Sequence, residues 1–216
     1  MIKRCAILGA SGHGKVIAEI AELNHFTEIH FFDDRWPKLQ NIEHWTVFGD
    51  TLELLSLVDQ YELVVVAIGN NEIRLDKVNL LKSSGAKLSV LTHPSAIISS
   101  YSQLGEGCVV MANAVVNPFS LIGNACIVNT SATIDHDCII ANGVHVSPGA
   151  NLAGGVKVGT ISWIGIGAQV KQLVKIGENV VVGAGATVLH DVADSKTVVG
   201  CPARPLHINF KTISKI

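Results

Sequence analysis

From Ile98 to Val188 an aliphatic residue falls at every sixth position, sixteen times without a break. Leu104, Val110, Val116, Ile122, Val128, Ile134, Ile140 and Val146 are the next eight of the series. Neither the 3.6-residue period of a helix nor the two-residue alternation of a strand generates such spacing. Four residues after an anchor stands a small or apolar residue, as at Ala114, Ser120, Cys126, Ala132, Cys138 and Ala150. A hexapeptide repeat of this kind predicts a parallel β-helix, each hexad supplying one short strand and one corner. Three hexads close one triangular coil, so residues 18 positions apart should stack. No residue is inserted into the register, which excludes a long loop hanging from the coil. The walls of any pocket there must come from an adjacent coil, the N-terminal part of the chain or another subunit.

The residues ahead of the repeat read as an α/β unit. Cys5–Leu8, Ile29–Phe32 and Leu63–Ile68 have the composition of buried strands, and Leu88–Leu91 is expected to close the unit. Val16–Leu23 and Ile73–Ser84 have helical periodicity, with Gly85 as a stop. Strands alternating with helices imply a small parallel sheet, and such sheets bind ligands beyond the carboxyl ends of their strands. Those ends carry Gly9–Lys15, Asp33-Asp34 and Gly69-Asn70. His93-Pro94 marks a break, because the residue before proline is pushed to an extended conformation.

Composition narrows the partners. A net charge of −2 and a pI near 6.5 leave no basic footprint for nucleic acid. The mean hydropathy of +0.40 comes from the interleaved aliphatic positions, since no stretch approaches the roughly 18 apolar residues of a membrane span. Met1-Ile2-Lys3-Arg4-Cys5 leads straight into a strand with no signal-peptide pattern, and a cytoplasmic location is expected. The five cysteines lack CxxC pairing; Cys108, Cys126 and Cys138 occupy small inward positions of the hexad, where packing accounts for them.

Gly9, Gly12 and Gly14 give the spacing G-x-x-G-x-G, which is not the dinucleotide fingerprint G-x-G-x-x-G. The loop still opens a helix whose N-terminus favours an anion, and His13 and Lys15 add donors for a pyrophosphate. Asp33-Asp34 are suited to ribose hydroxyls or a base N–H. On the coil, His136 stands two residues after its anchor, and its stacking column contains Pro118, Gly154, Gln172 and His190. Gly154 therefore abuts His136, and its bare backbone N–H is placed as an oxyanion donor beside a general base. Asp137 can fix the imidazole tautomer, provided that a local bend turns the two neighbouring side chains together. His145 is half a coil away, on another edge, and His190 reads as surface. Asp135-His136-Asp137 lacks a third and fourth ligand, so no metal is expected.

Taken in order, Gly9–Gly14, Asp33-Asp34, Ala67–Arg74, Asn129–Ser131, Ile134–Cys138, His145–Ser147 and Gly200–Arg204 are motifs by which the chain resembles the sialic acid O-acetyltransferase-like family of hexapeptide-repeat acyltransferases. That resemblance implies a Rossmann-like nucleotide-sugar-binding domain over 1–92, an all-β left-handed parallel β-helix over 93–197, and a tail over 198–216 that completes a CoA site. It also implies a homotrimer with acetyl-CoA bound between subunits. The implied reaction is acetyl transfer to the 4-amino group of a UDP-linked 4-amino-4,6-dideoxy sugar. GDP-perosamine or a sialic acid hydroxyl are the alternative acceptors, and a non-catalytic nucleotide-sugar-binding scaffold is an alternative of another class. In the family, the residue matching His136 is the base and the next one, normally Glu, supports it; here it is the shorter Asp137. Positions matching Ser11, Gly12, His13, Asp33, Asp34 and Gly69 hold the nucleotide, with Asn129 also on the substrate side. Those matching His145, Ile166, Ala184 and Arg204 serve CoA, with alanine at 184 where the family has glycine.

Overall fold

In the computed structural model, residues 2–206 are described. The expected tail therefore lies outside the described residues from 207 onward. The N-terminal sheet contains β1 (Arg4–Leu8), β2 (Glu28–Phe32), β3 (Asn41–Ile42), β4 (Trp45–Gly49) and β5 (Leu63–Val66), in the order β3-β4-β2-β1-β5. All neighbours are parallel except the β3–β4 hairpin. The helices are α1 (Gly12–Leu23), α2 (Thr51–Leu57) and α3 (Asn71–Ser83). The β3–β4 hairpin and α2 were not anticipated from sequence. The α2 helix starts on a capping box in which the Asp50 carboxylate accepts from Leu52 and Glu53 N–H, and Glu53 reaches back to the Asp50 N–H.

The expectation that Leu88–Leu91 closes the α/β unit needs correction. Leu91–Thr92 pairs with Val109–Val110 and is the first strand of the coil. Lys87, whose carbonyl accepts from the Val64 N–H at 2.8 Å, and Leu88, buried with Val64 and Val66, stay with the α/β unit. A short aliphatic run carries no signal of which sheet it joins, and the hydrogen bonds of the first complete coil decide it.

The coil is a parallel β-helix with three faces of two-residue strands, apart from the three-residue Thr197–Val199. The Thr133 face holds six strands from Ile97–Ile98 to Thr187–Val188, and the Ile139 face five from Gln103–Leu104 to Lys175–Ile176. The His145 face holds eight; its last, Arg204–Pro205, folds back antiparallel on Thr197–Val199. Partners are 18 residues apart, as in Thr133↔Asn151 and His145↔Trp163. The anchors fill the interior: Val116, Ile134, Ile164 and Val182 have no exposed surface. The third residue after every anchor from Leu104 to Val182 adopts positive φ, which turns the chain through each corner. Non-glycine residues hold that conformation at Phe119, Asp137, Ile161 and Leu173 because the ladder on both sides fixes it. The inward Ser and Cys side chains are not idle. Cys108, Ser120, Cys126, Cys138 and Ser162 each donate to a carbonyl fifteen residues on, at 2.6–3.3 Å.

Two hydrophobic clusters bridge the N-terminal unit and the coil. Cys5, Ile7, Ile17 and Phe31 pack with Val109, Met111 and Ile127 of the His145 face. Val78 and Leu81 of α3 pack with Ala125 at the corner between the Ile139 and His145 faces. Val109 and Ile127 point outward from the coil yet are buried, whereas Trp163 and Val181, further along the same column, are exposed. A cleft opens where that cover ends, at His145.

Candidate active site

His136 and Asp137 form the corner between the Thr133 and Ile139 faces. Asp137 has φ +59°, and this left-handed turn supplies the bend that brings two sequence neighbours together. Aspartate tolerates that conformation better than most residues. Its Oδ2 lies 2.7 Å from His136 Nδ1, so the shorter carboxylate does reach the ring. The pairing places the ring proton on Nδ1 and leaves the Nε2 lone pair free. Both side chains are open to solvent, at 60% and 63%. The hydrogen bond to Asp137, with the charge of Asp135, raises the imidazole above the ordinary histidine range. Asp135 Oδ1 accepts from the His136 N–H and from Asn117 Nδ2, both at 2.8 Å, and so pins the start of the corner.

Gly154 stacks one coil away, against the ring. A Cβ there would stand 2.6 Å from His136 Cε1 and 2.7 Å from Nε2, closer than real Cβ atoms come. Its N–H donates to no acceptor among the described residues, while the next amide, Gly155, bonds the His136 carbonyl at 2.8 Å. A free lone pair on His136 and an unspent N–H on the glycine packed against the ring are the two groups that acyl transfer uses.

Three parallel strands deliver the other candidates at their carboxyl ends. After β1, Gly9 has φ +115°, and a Cβ would meet the Ala67 carbonyl at 2.7 Å; Gly14 likewise cannot carry one, with the Gly9 carbonyl 2.4 Å away. Gly12 and Gly69 differ, because nothing lies within 4 Å of where their Cβ would be. The fold does not need glycine at either place, and the open space admits a close-packed ligand. Ser11 is the N-cap of α1 but makes no side-chain cap bond, so the first-turn N–H groups face outward with it. His13 Nε2 is buried without a partner among the described residues, and burial with the charge of Arg74 pushes its pKa down to about 4.

The acidic pair turns out to be occupied. Asp33 accepts from the Ala10 N–H at 2.8 Å and from Arg35 Nε at 2.7 Å, while Arg35 Nη2 donates to the Ala10 carbonyl. Asp34 accepts from the Thr51 N–H and hydroxyl and from Lys77 Nζ at 2.9 Å. Both carboxylates clamp neighbouring loops, and these partners hold them below the usual carboxylate range despite partial burial.

His145 sits in a cleft of about 460 Å³ with Gly69, Asn71, Glu72, Trp163 and Asn179 among its walls. Asn129 Nδ2 donates to its Nε2 at 3.0 Å, and the Trp163 ring lies parallel to it, 4° apart. Burial, with repulsion from Arg74 and His13, drives its pKa to about 3, so the ring is neutral. The structure thus groups His145 with Gly69, Asn129 and His13. Ile166 and Ala184 stack one coil apart at the corner between the His145 and Thr133 faces, both exposed. Arg204 lies at the end of the coil, bonded to the Ala203 carbonyl. His136 stands on a different edge from all of these. Sequence reasoning gave no role to Arg35, Lys77, Trp163 or Arg74. An arginine on the buried stripe of α3 with Val78 and Leu81 was the one available signal.

Residues 4–81 match the family described as the PglD N-terminal domain. The acetyltransferase domain of PglB from Neisseria gonorrhoeae, solved with acetyl coenzyme A, is 43% identical, with a TM-score of 0.91, over 95% of this chain and 100% of that one. The chain belongs to the sialic acid O-acetyltransferase-like family of hexapeptide-repeat acyltransferases. Another family relative, PerB from Caulobacter crescentus with CoA and GDP-perosamine, is 36% identical with a TM-score of 0.90 over 96% and 99% of the two chains. A UDP-N-acetylbacillosamine N-acetyltransferase of Bacillus subtilis is 36% identical over 114 residues, and the match spans about half of that relative's length, 52%. Among the described residues no cluster of three or more His, Cys, Asp or Glu could hold a metal ion, and no helix is long and apolar enough to cross a membrane.

Proposed function

We propose that the protein is an acetyl-CoA-dependent nucleotide-sugar N-acetyltransferase acting on the 4-amino group of a UDP-linked 4-amino-4,6-dideoxy sugar. The observation that carries the reading is the corner where Asp137 orients His136, with Gly154 packed against the ring and its N–H unpaired among the described residues. The neutral amine attacks the thioester carbonyl carbon, and His136 Nε2 takes the proton that the nitrogen loses. The Gly154 N–H donates to the carbonyl oxygen as it gains negative charge. When the C–S bond breaks, the imidazolium returns the proton to the departing CoA sulfur. No covalent enzyme intermediate is needed. The coil cysteines Cys108, Cys126 and Cys138 are buried and spent on internal hydrogen bonds.

The nucleotide side is formed by Ser11, Gly12 and His13 at the start of α1, with Asp33, Asp34, Gly69 and Asn129. The outward N–H groups of α1 and the empty space at Gly12 and Gly69 suit a diphosphate. His145, Ile166, Ala184 and Arg204 serve acetyl-CoA. Because His136 stands on another edge from the His145 cleft, the working unit is a homotrimer that sets the corner of one subunit against the cleft of the next. Its place of action is the cytoplasm, without nucleic acid, membrane or metal.

A GDP-linked acceptor is the second reading, favoured by the likeness to PerB, which was solved with GDP-perosamine. Release of free thiol from acetyl-CoA, measured across UDP- and GDP-linked amino sugars, decides between them. Turnover is expected with the UDP-4-amino sugar, and turnover with GDP-perosamine alone would favour the second reading. His136→Ala should lower kcat by about 10²–10⁴-fold while leaving nucleotide-sugar binding intact. Variants of the Caulobacter enzyme with one histidine replaced by Asn or Ala were solved holding both CoA and GDP-perosamine. Unchanged kcat in His136→Ala would remove the mechanism.

A further inference from the structure

Among the described residues Arg74 is the only arginine or lysine that is buried, with 1% of its surface exposed. No carboxylate lies within ion-pair distance among the described residues. Its guanidinium instead donates five hydrogen bonds. Nη1 donates to the Ile68 and Gly69 carbonyls at 3.0 and 3.1 Å, on the loop between β5 and α3. Nε donates to the Ala125 carbonyl and Nη2 to the Gly143 carbonyl, both at 2.8 Å, at corners of two successive coils. The fifth goes to Asn71 Oδ1 at 2.8 Å, and Asn71 in turn donates to the Ile161 and Ser162 carbonyls one coil further on. The start of α3 therefore grips three consecutive corners, at 125, 143 and 161. The groups around the guanidinium are the His13 and His145 imidazoles and the Cys108 and Cys126 thiols. Burial lowers its pKa to about 10, so it stays charged at neutral pH.

What distinguishes Arg74 is where its bonds lead. The Gly69 carbonyl belongs to one wall of the His145 cleft, and the 143 corner leads directly into His145, which lines the other wall with Ile161, Trp163 and Val181. A shift of this loop by one ångström would move Gly69 against His145 without touching the His136 corner, which lies on another edge. Lysine cannot replace the five-donor planar fork, only its charge.

We propose that Arg74 is a positioning residue, which locks the nucleotide-side loop at Gly69 to the coil wall that carries His145 and so sets the width of the cleft between them. The proposal rests on the nucleotide-sugar reading for its kinetic arm, and on the fold alone for its second arm. In Arg74→Met, the KM for the nucleotide sugar should rise on the order of tenfold, with the pH dependence of kcat unmoved. Arg74→Lys should fall between wild type and Arg74→Met. Hydrogen exchange followed by mass spectrometry supplies the second arm: peptides spanning 67–73 should exchange faster in Arg74→Met, while the Thr133 face keeps its protection. A folded Arg74→Met with wild-type exchange at 67–73, or with wild-type KM, overturns the proposal. Should that variant fail to fold, Arg74→Lys decides by the same two readouts, and loss of fold in both makes Arg74 a folding residue and overturns it too. If wild type turns over no nucleotide sugar, the functional reading fails while the exchange arm still tests the lock.

Discussion

His136 owes its base strength to two carboxylates that act differently. Asp137 bonds Nδ1 directly, while Asp135 bonds the backbone N–H and contributes its charge. A raised imidazole pKa means that the neutral, proton-accepting form is reached only at higher pH, so kcat should climb as pH rises through that value. In Asp137→Asn the hydrogen-bonded charge is gone and the pKa falls. The rising limb of the kcat–pH profile should then move to lower pH, with a lower plateau because the ring is a weaker base. A limb that stays in place would separate Asp137 from the chemistry. Gly154→Ala tests the other side of the ring. The added carbon would sit 2.6 Å from Cε1, at the far end of a side chain that can swing away. We expect kcat to fall on the order of tenfold or more, with little change in Tm. A normal kcat would show that the ring does not work where it stands.

Elements built on the hexad were legible because the repeat is one-dimensional: each anchor fixes the next, and stacking at 18 residues follows by counting. That counting also placed Gly154 against His136. What sequence did not reveal has physical causes. The β3–β4 hairpin has no glycine-containing two-residue turn; His44 and Glu43 make it, with Glu43 at φ +50°. Asp33 and Asp34 read as free acids, yet their partners, Arg35 and Lys77, are recognisable only once the loops have folded together. Arg74 bonds mainly to main-chain carbonyls, which every sequence has, so its bonds carry no sequence signature. The coil is also the stability element. Ile134 has no exposed surface and anchors the hexad immediately before His136. Ile134→Ala should cost about 2–5 kcal/mol in denaturant titration, as a fully packed isoleucine does. A cost below 1 kcal/mol would contradict the tight packing of that layer.

On the scale of the whole molecule, the proposed mechanism has one chain hold both halves of a site that it does not bring together. The His136 corner lies between the Thr133 and Ile139 faces, while His145, Gly69 and Asn129 gather beside the N-terminal unit on the third face. The lock between α3 and three corners keeps that second half rigid, so domain motion within a chain is no route to closing the distance. In the proposed homotrimer a neighbouring copy is. The most direct measurement is complementation between His136→Ala, which lacks the base, and Gly69→Trp, which fills the cleft where a Cβ now meets nothing. Each variant alone should release almost no thiol from acetyl-CoA. Co-expressed and purified as mixed oligomers, they should regain activity, because some sites then pair an intact corner with an intact cleft. Mixed oligomers, verified by native mass spectrometry, that stay as inactive as their parents would contradict a site built from two chains.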